Sequence, residues 1–380
     1  MHILHLIKTS EGANWAINLM KDVKERYPEI TFSVIIPTGG RQINKYFDVC
    51  EKVYYFDYKL NFSLFKRGIE FRKIVLEDKP TLIHSWFAQT TLYARLFLRD
   101  LKTPRLFQVV GPLHLENTIF KYLDIFSAQR NDYWIATSKY IFNKYKSSNI
   151  NDDKLFLNYA YIDIDNLLKT AETTTRNDFR KKYDIPDTSK IIGTASYMYP
   201  PKFYEKTGVK GHEFLLEAFK QLIKKRTDVV LLVAGTSFGS DSSYEEKLIE
   251  KANEISPDKI FFTGKYNHIY EVISSFDVFV YLSTSENLGG VYESLLFEIP
   301  TISSDRGGLP ELVINNETGF NVDPTNSCLL IDKLNTVLDN EFPNFKEKGK
   351  KIVLNTFDKN SIINTSYAIY NSCLLKNQSV

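Results

Sequence analysis

The sequence predicts an α/β protein made of two doubly wound, Rossmann-like domains. The chain has 380 residues, which is long for a single hydrophobic core. Short, continuous apolar runs alternate with segments of helical period, as in parallel sheets that carry helices on both faces. The alternation stops at a polar stretch, residues 158–190, and then begins again. We therefore place the N-terminal domain at residues 1–165 and the C-terminal domain at residues 185–356.

The candidate strands of the N-terminal domain are each followed by a turn or a helical segment. After the first strand come the polar turn KTSEGAN and the helical WAINLMKDVKERY. The candidate strands read MHILHLI, TFSVIIP, KVYYFD, TLIHSW, RLFQVVG and DYWIAT. The segment at about 358–376, which contains SIINTSYAIYNSCLL, has helical spacing but follows the completed C-terminal domain. Because its apolar face needs a partner, we expect it to pack against the N-terminal domain.

The C-terminal domain repeats this pattern. Its candidate strands read IIGTAS, VVLLVAG, KIFFTG, DVFVYLS and TISS. The segments GHEFLLEAFKQLIKK and SYEEKLIEKANEI between them have helical spacing. In open α/β sheets, ligands bind beyond the carboxyl ends of the strands, where loops meet helix N-termini. We therefore expect the functional residues in those loops.

Composition and charge exclude several classes of protein. With 43% hydrophobic and 25% charged residues, the chain is typical of an ordered globular protein. Its 48 basic and 46 acidic residues leave a net charge of +2, so we expect no nucleic-acid partner. Cys50, Cys328 and Cys373 lie far apart, which favours thiols in a reducing compartment. The N-terminus is too short and polar for a signal peptide, and no apolar run could cross a bilayer, so we expect a cytoplasmic protein.

A glycine-rich loop with two glutamates is the main candidate site. It reads TSENLGGVYESLLFEIPTISSDRGGLPELV and follows the strand DVFVYLS. The amide groups of Gly289, Gly290 and Val291 at a helix start would bind an anion such as a diphosphate. Glu293 would then reach a ribose diol, and Glu286 a sugar on the far side of the phosphates. An ordinary flexible loop with helix-start glutamates remains an equal alternative on spacing alone.

Lys210, in KGHEFLLEAF, precedes another helix start on the same edge of the predicted sheet. Its ammonium could reach the phosphates as a point charge, although a lone lysine is more often a solvated surface residue. The run DID at residues 163–165 has the form of a metal motif but lies in the polar stretch. We interpret it as solvated acids or a helix start and predict no metal site. No G-x-S-x-G elbow indicates hydrolase chemistry.

Taken in order, these segments resemble a known family. The series KGHEFLLEAF, VVLLVAG, FFTGKYNHIYEVISSFDVFVYLSTSENLGGVYESLLFEIPTISSDRGGLPELV and TGFNV is similar to the retaining glycosyltransferases of family 4 (group 1 type). The likeness extends weakly into the first half through LIHSW, GPLHLE, WIATSKY and the last helix. It implies the GT-B architecture: two Rossmann-like domains facing across a cleft, with the C-terminal helix returning to the first. It also implies metal-independent transfer with retention, with a nucleotide-diphosphate-sugar as co-substrate and no further cofactor.

The resemblance also assigns roles to residues of this chain. It implies catalytic roles for Glu286, Lys210 and His114, where Lys210 binds the diphosphate and Glu286 lies near the transferred sugar. His114 and Glu116, in VVGPLHLE, are first-domain candidates that would contact a donor hydroxyl or the acceptor, and His84 is a further acceptor-side candidate. A buried, structural histidine is as good an explanation for His114, and a better one for His84. The implied donor-binding residues are Glu293, Gly289, Gly290, Val291, Asn287, Leu288, Gly12, Tyr197, Tyr266 and Asn267.

The chain departs from the family in the donor site. Glu286 and Glu293 are one residue closer together in the chain than the two glutamates of the family. The spacing therefore does not determine where the Glu286 side chain points. The arginine that accompanies the phosphate lysine is missing, and Ser196 and Tyr197 stand there instead. Lys202 or Lys206 in the following loop could replace it.

The first domain contains a candidate membrane-binding stretch, YKLNFSLFKRGIEFRKIVLEDK. Aromatic and basic side chains alternate in it, as on a helix that lies on an anionic membrane. An ordinary helix with a charged outer face is the more frequent case. The residues concerned are Phe62, Phe65, Phe71, Lys66, Arg67, Arg72 and Lys73.

From the residues and the resemblance together we expect a hexosyl- or other glycosyltransferase of bacterial surface polysaccharide or glycoconjugate synthesis. It would use a UDP- or GDP-linked donor and a glycan or lipid-linked acceptor, at the inner face of the plasma membrane. The alternatives are a nucleotide-sugar epimerase and a non-catalytic nucleotide-sugar-binding protein of the same fold. A dinucleotide oxidoreductase is disfavoured, because KTSEGANW and GTASYMY lack the G-x-G-x-x-G motif.

Overall fold

The computed structural model describes residues 1–175, 178–202, 205–341 and 344–378. The chain divides into two compact units. The first unit comprises Met1–Asp163 and Phe357–Val380, and the second comprises Ile164–Thr356. Among the described residues, no helix is both long and apolar enough to span a bilayer.

The first unit is a parallel α/β structure. Its strands are β1 (His2–Leu6), β2 (Thr31–Ile36), β3 (Lys52–Tyr55), β4 (Leu82–Ser85), β5 (Arg105–Phe107), β6 (Asp132–Ala136) and β7 (Leu155–Leu157). Its helices before the second unit are α1 (Asn14–Arg26), α2 (Ile43–Val49), α3 (Leu64–Asp78), α4 (Ala88–Phe97), α5 (Leu113–Glu116), α6 (Thr118–Phe126) and α7 (Lys139–Lys146). Within the described residues, the strands form a seven-stranded sheet in the order β3-β2-β1-β4-β5-β6-β7.

The second unit has the same plan. Its strands are β8 (Lys190–Ala195), β9 (Val229–Ala234), β10 (Ile260–Gly264), β11 (Val278–Tyr281), β12 (Thr301–Ser304) and β13 (Phe320–Val322). Its helices are α8 (Ile164–Thr173), α9 (Phe179–Lys182), α10 (His212–Leu222), α11 (Ser243–Ile255), α12 (Tyr270–Ile273), α13 (Val291–Leu296), α14 (Ser327–Leu338) and α15 (Phe345–Thr356). In the part that the structure describes, the strands form a six-stranded parallel sheet in the order β10-β9-β8-β11-β12-β13.

Both sheets are doubly wound, which confirms the predicted fold class. The strand order reverses between β1 and β4 in the first unit and between β8 and β11 in the second. Buried strands such as β9, in which every residue is buried, explain the continuous apolar runs of the sequence. A separate apolar core lies between each sheet and its helices. In open sheets of this kind, the point of reversal opens a crevice at the carboxyl ends of the strands.

The last helix, α16 (Lys359–Gln378), belongs to the first unit as predicted. It packs against α1 and β4. The rings of Tyr27 and Tyr367 stack with their centroids 3.7 Å apart, and the Tyr27 hydroxyl donates to Asn364 at 2.9 Å. A helix that follows the second unit therefore completes the core of the first.

Several parts of the two units add to the prediction from the sequence. Strands β7 and β13 have three residues each and carry too little pattern to be recognised alone. The predicted polar stretch contains α9, which was not predicted, and α8, which begins at Ile164 within the DID run, where a helix start was one of the two predicted explanations. Both helices lie within the second unit. Arg176 and Asn177 of that stretch lie outside the described residues.

Candidate functional site

The candidate donor site lies at the carboxyl end of β11, beside β8. These strands are neighbours at the point where the strand order of the second sheet reverses. Strand β11 ends at Tyr281, and the loop that follows leads into α13, which begins at Val291 with Gly290 as its N-cap. The loop thus occupies the position at which open parallel sheets bind ligands.

Lys210, Glu286 and Tyr281 meet at this strand end. Lys210 and Glu286 form an ion pair. The Lys210 ammonium also donates to the Tyr281 hydroxyl, with 2.8 Å between nitrogen and oxygen. The same hydroxyl donates to Oε2 of Glu286 at 2.8 Å. Burial, followed by the negative charge of Glu286, raises the pKa of Tyr281 well above its usual value, so the hydroxyl keeps its proton at neutral pH.

The two Gly-Gly pairs of the sequence support this cluster. Gly289 has φ +43°, and a Cβ there would lie 2.8 Å from Cγ of Glu286 and from Cε1 of Tyr281. Gly307 has φ +62°, and a Cβ there would lie 1.7 Å from the carbonyl oxygen of Glu286. That carbonyl also accepts a hydrogen bond from the Gly308 amide at 3.2 Å. Only glycine allows both close approaches, so the first pair borders the cluster and the second holds its loop.

Glu293 lies in the first turn of α13 and is half-buried. The Tyr292 hydroxyl donates to its Oε1 at 3.2 Å. Burial raises the pKa of Glu293 to about 7, although the Tyr292 bond acts in the opposite direction. A Cβ at Gly290 would lie 3.5 Å from Oε2, so the carboxylate borders the glycine turn. The group can therefore be ionised near neutral pH when hydrogen-bond donors approach it.

Tyr266 and Asn267 lie next to Glu293. The two residues and Glu293 line a cavity of about 260 Å³. Burial and then the charge of Glu293 raise the pKa of Tyr266. A second cavity, of about 80 Å³, is lined by Ser196, Tyr197 and Tyr266 among others. Tyr266 therefore lines both cavities, one beside Glu293 and one beside Tyr197.

The remaining predicted donor residues of this loop present backbone. The side chains of Asn287, Leu288 and Val291 are buried, so contacts with a ligand would come from their main chain. The position of the missing arginine holds Tyr197, which is 54% exposed. Lys202 pairs with Glu205 at 3.2 Å. That either Lys202 or Lys206 replaces the arginine stays a prediction.

The first-unit candidates His114 and Glu116 both lie on α5. His114 is 8% exposed, with Nδ1 3.1 Å from the Gly111 carbonyl and Nε2 2.9 Å from the Tyr145 hydroxyl. Both ring nitrogens are thus bonded within the protein, as in the structural alternative, and an acceptor-side role for His114 stays a prediction. Glu116 is exposed and accepts a hydrogen bond from Tyr140 at 3.1 Å.

Behind His114 lies a buried ionic network that the sequence did not reveal. Asp124 accepts from the Tyr145 hydroxyl at 2.9 Å and pairs with Arg95 at 2.8 Å. Burial acts to raise the pKa of Asp124, but Arg95, His114 and Tyr145 together lower it to about 2. Arg95 also lies 3.4 Å from Asp132. The network fixes α6 and the ring of His114 to the core.

His84 and Gly12 also belong to the first unit. His84 is fully buried, stacked on Trp86 at 4.1 Å between ring centroids, and its Nδ1 lies 3.1 Å from the Tyr370 hydroxyl. Burial keeps its pKa well below the usual value. In this structure His84 therefore has no surface for an acceptor, in line with the structural alternative. Gly12 lies in the turn before α1, and a Cβ there would meet nothing within 4 Å.

Tyr281 was not predicted from the sequence. As the last residue of a buried strand it is typical of a core aromatic, and its hydroxyl becomes significant only when Lys210, 71 residues away, is placed beside it. Its position at a strand's carboxyl end was the available signal. Within the described residues, no group of three or more His, Cys, Asp or Glu side chains could hold a metal ion.

The second unit is similar to a known protein family. Residues 175–356 match the model of the family "Glycosyl transferases group 1". The capsular polysaccharide biosynthesis glycosyltransferase CapM of Staphylococcus aureus is 23% identical over 99% of this chain and 98% of its own length. The lipopolysaccharide 1,2-N-acetylglucosaminetransferase of Salmonella typhimurium is 27% identical over 49% of this chain and 50% of its own length.

Solved structures resemble the whole chain. Anabaena HepE in complex with UDP superposes with a TM-score of 0.78 at 17% identity, over 98% of this chain and 100% of that chain. The lipopolysaccharide outer core galactosyltransferase WaaB gives a TM-score of 0.72 at 16% identity, over 98% and 99% of the two chains. At these identities the likeness shows the fold. The second unit matches the model of the glycosyl transferases group 1 family, and this match, the fold and the relatives together support a glycosyltransferase of the GT-B fold.

Proposed function

We propose that this chain is a retaining glycosyltransferase of family 4 type. It transfers a hexosyl or related group from a UDP- or GDP-linked sugar to a glycan or lipid-linked acceptor in bacterial surface polysaccharide or glycoconjugate synthesis. The observation that carries the proposal is the meeting of Lys210, Glu286 and the Gly289 turn at the carboxyl end of β11. A capsule glycosyltransferase among the relatives and a UDP-bound structural neighbour are consistent with this class of donor and product.

In this proposal each residue binds a different part of the donor. The Lys210 ammonium binds the diphosphate, together with the main chain of Gly289 and Gly290. The Glu293 carboxylate accepts from the ribose diol at the cavity that it shares with Tyr266. Glu286 faces the transferred sugar. When the donor binds, Lys210 exchanges its ion pair with Glu286 for bonds to phosphate.

The chemistry follows from the charges that develop on the donor. Cleavage of the bond between sugar and diphosphate leaves negative charge on the phosphate and positive character on the sugar. Lys210 stabilises the leaving phosphate, and Glu286 stabilises the sugar. The acceptor hydroxyl attacks the sugar from the face that the phosphate leaves and gives its proton to that phosphate. The configuration of the sugar is therefore retained. In this proposal the donor and the acceptor suffice without a metal or a further cofactor, and His114 and Glu116 serve the acceptor side.

Two variants and a matched control test this assignment. Lys210→Ala and Glu293→Ala are each expected to lower turnover about a hundredfold or more, because each removes a charged contact to the donor. Lys220→Ala, on an exposed part of α10, should leave turnover unchanged. The assay is the release of UDP or GDP from a panel of nucleotide sugars, preceded by thermal-shift screening with UDP and GDP. Wild-type turnover in both site variants would refute the assignment.

We further propose that the protein acts in the cytoplasm, at the inner face of the plasma membrane, through an apolar surface of the first unit. Helices α3, α4 and α6 pack side by side and carry large exposed apolar side chains. We call this surface the outer apolar face. Its residues are Phe62, Phe65, Ile69, Leu96, Ile119, Tyr122, Leu123 and Phe126. Clusters of exposed apolar side chains often mark a site that contacts a membrane or another protein.

Helix α6 gives the strongest support for this surface. Its acidic residue Asp124 is buried, whereas Ile119 and Phe126 are 70% and 78% exposed. The helix therefore presents apolar groups outward, as an interfacial helix does toward lipid. On α3, Lys66 and Lys73 border the face, next to exposed Glu70 and Glu77. Apolar insertion is thus expected to contribute more than charge.

The structure changes the sequence-based picture of α3. Phe71 was expected on the membrane-binding surface but is fully buried in the core of the first unit. Arg67 donates to the Asp57 carbonyl at 3.1 Å, and Arg72 pairs with Asp100 at 2.6 Å. Phe71 faces inward because it lies on the side of the helix that packs against the sheet.

Flotation with lipid vesicles tests the membrane proposal. Wild type should bind vesicles that contain phosphatidylglycerol, and the double variant Ile119→Ser/Phe126→Ser should lose most of this binding. Leu354→Ser, at an exposed apolar residue of the second unit, is the control and should bind like wild type. Equal flotation of wild type and the double variant, or a dimer that only the double variant abolishes, would refute the membrane assignment.

A further inference from the structure

Tyr281 is held more rigidly than the two charged residues that it touches. It ends strand β11, is 3% exposed, and its ring stacks on Phe279 with 6.0 Å between centroids. The glycine at position 289 lets the loop lie against the same ring. The backbone of Gly290 also acts to lower the pKa of this hydroxyl. The hydroxyl is therefore fixed by the strand, whereas the side chains of lysine and glutamate have several rotatable bonds.

The donor would separate the two charged groups. When a diphosphate attracts Lys210, Glu286 loses its ion-pair partner. The Asn287 amide, which donates to Oε1 at 3.0 Å, and the Tyr281 hydroxyl would then hold the carboxylate toward the sugar. The hydrogen bond from Tyr281 to Oε2 of Glu286 does not depend on Lys210, so it can remain in place. This anchor suits a chain whose glutamates stand one residue closer together than in the family.

We propose that Tyr281 is a positioning residue of the donor site, whose hydroxyl holds the Glu286 carboxylate in place when Lys210 turns to the diphosphate. The inference rests on the proposed glycosyl transfer and adds to it a residue that the family resemblance does not assign. Tyr281 forms and breaks no covalent bond. It acts through Glu286, so its effect appears in turnover more than in nucleotide binding.

The test is the variant Tyr281→Phe, which removes the hydroxyl and keeps the ring. Its control is Tyr58→Phe in the first unit, which removes the buried hydroxyl that donates to the Ile35 carbonyl at 3.2 Å. Binding of UDP and GDP is measured by calorimetry. Turnover is measured as UDP or GDP release from UDP-glucose, UDP-N-acetylglucosamine and GDP-mannose at saturating concentration.

The expected result is a difference between binding and turnover. Tyr281→Phe should lower kcat about tenfold, as for loss of a hydrogen bond to a charged group, with nucleotide affinity changed less than about threefold. In the Glu286→Gln background the same change should have little further effect on kcat, because the two residues act as one unit. Tyr58→Phe should leave kcat unchanged.

Other results would contradict either the positioning role of Tyr281 or the proposed donor site. If kcat of Tyr281→Phe stays within about twofold of wild type, the positioning role is overturned and the proposed function stands. If Tyr281→Phe fails to fold, the hydroxyl is a structural group, which also overturns the inference. If wild type neither binds UDP or GDP nor releases them from any donor, the proposed donor site fails and this inference fails with it.

Discussion

Replacing Glu293 by glutamine should remove a pH dependence from the stability of the second unit. Burial raises the pKa of this carboxyl from 4.5 to about 7. In the unfolded chain it returns to its ordinary value, so between these two pH values the folded state binds more protons than the unfolded state. The free energy of unfolding therefore falls as the pH rises from 4.5 through 7. Glutamine carries no such proton and keeps nearly the same shape.

The magnitude follows from the two pKa values. A rise from 4.5 to about 7, at 1.36 kcal/mol for each pH unit, corresponds to about 3 kcal/mol. Because Glu293 keeps part of its surface in solvent, screening reduces this value, and we expect about 1–3 kcal/mol. Near pH 4.5 the two proteins should be almost equally stable. Near pH 8 the glutamine variant should be more stable by this amount.

Buried histidines give the free energy of unfolding the opposite pH dependence, which must be separated from that of Glu293. Burial lowers the pKa of His5 to about 3, that of His212 to about 4, and that of His84 well below its usual value. Because these histidines are neutral in the folded state, the free energy of unfolding falls as the pH falls below 6.5. The effect is the same in wild type and in Glu293→Gln. The difference between wild type and Glu293→Gln therefore isolates the carboxyl.

The assay is urea unfolding followed by fluorescence at pH values from about 4.5 to 8.5. Glu317→Gln, at an exposed carboxyl of the same unit, is the control and should follow wild type. Parallel profiles of wild type and Glu293→Gln across this range would refute the reasoning, because they would mean that Glu293 titrates alike in the folded and unfolded chain.

Two further predictions concern packing. Gly289→Ala should lower the free energy of unfolding by about 1–3 kcal/mol, because it forces a side chain into a positive-φ position 2.8 Å from Glu286, whereas Gly12→Ala should change it by less than about 0.5 kcal/mol. Urea unfolding of the two variants checks this, and equal stability would contradict it. Asp124→Asn should lower the free energy of unfolding by about 3 kcal/mol, because it leaves the buried Arg95 charge without its 2.8 Å partner. A loss below about 1 kcal/mol in the same assay would show that Arg95 is neutralised elsewhere.

The fold could largely be predicted from the sequence because buried parallel strands leave a clear record. Runs such as VVLLVAG consist of residues that are buried on both faces, so they are apolar throughout. The short strands β7 and β13 left no such record. They are strands because β6 and β12 offer them hydrogen-bond partners, which is a property of the folded sheet.

The candidate site could be predicted only where its residues are neighbours in the chain. Glu286, Gly289 and Glu293 lie within one loop and helix start, so their spacing carries information. Tyr281 could not be found in this way, because its hydroxyl is significant only beside Lys210. Whether His114 and Glu116 serve an acceptor stays a prediction, although the structure explains why the ring of His114 is held so firmly.

The sequence by itself determined the elements of this protein: two parallel α/β units, a glycine-rich loop after a buried strand, and a last helix that needed a partner. The tertiary structure decided which faces those elements expose. Asp124 faces inward because Arg95 is buried beside it, and this turns the apolar side of α6 toward solvent. His84 is removed from the surface because Tyr370, 286 residues later, lies against it. Buried charges and long-range contacts determine which faces are exposed, because their free energies depend on partners that are distant in the chain.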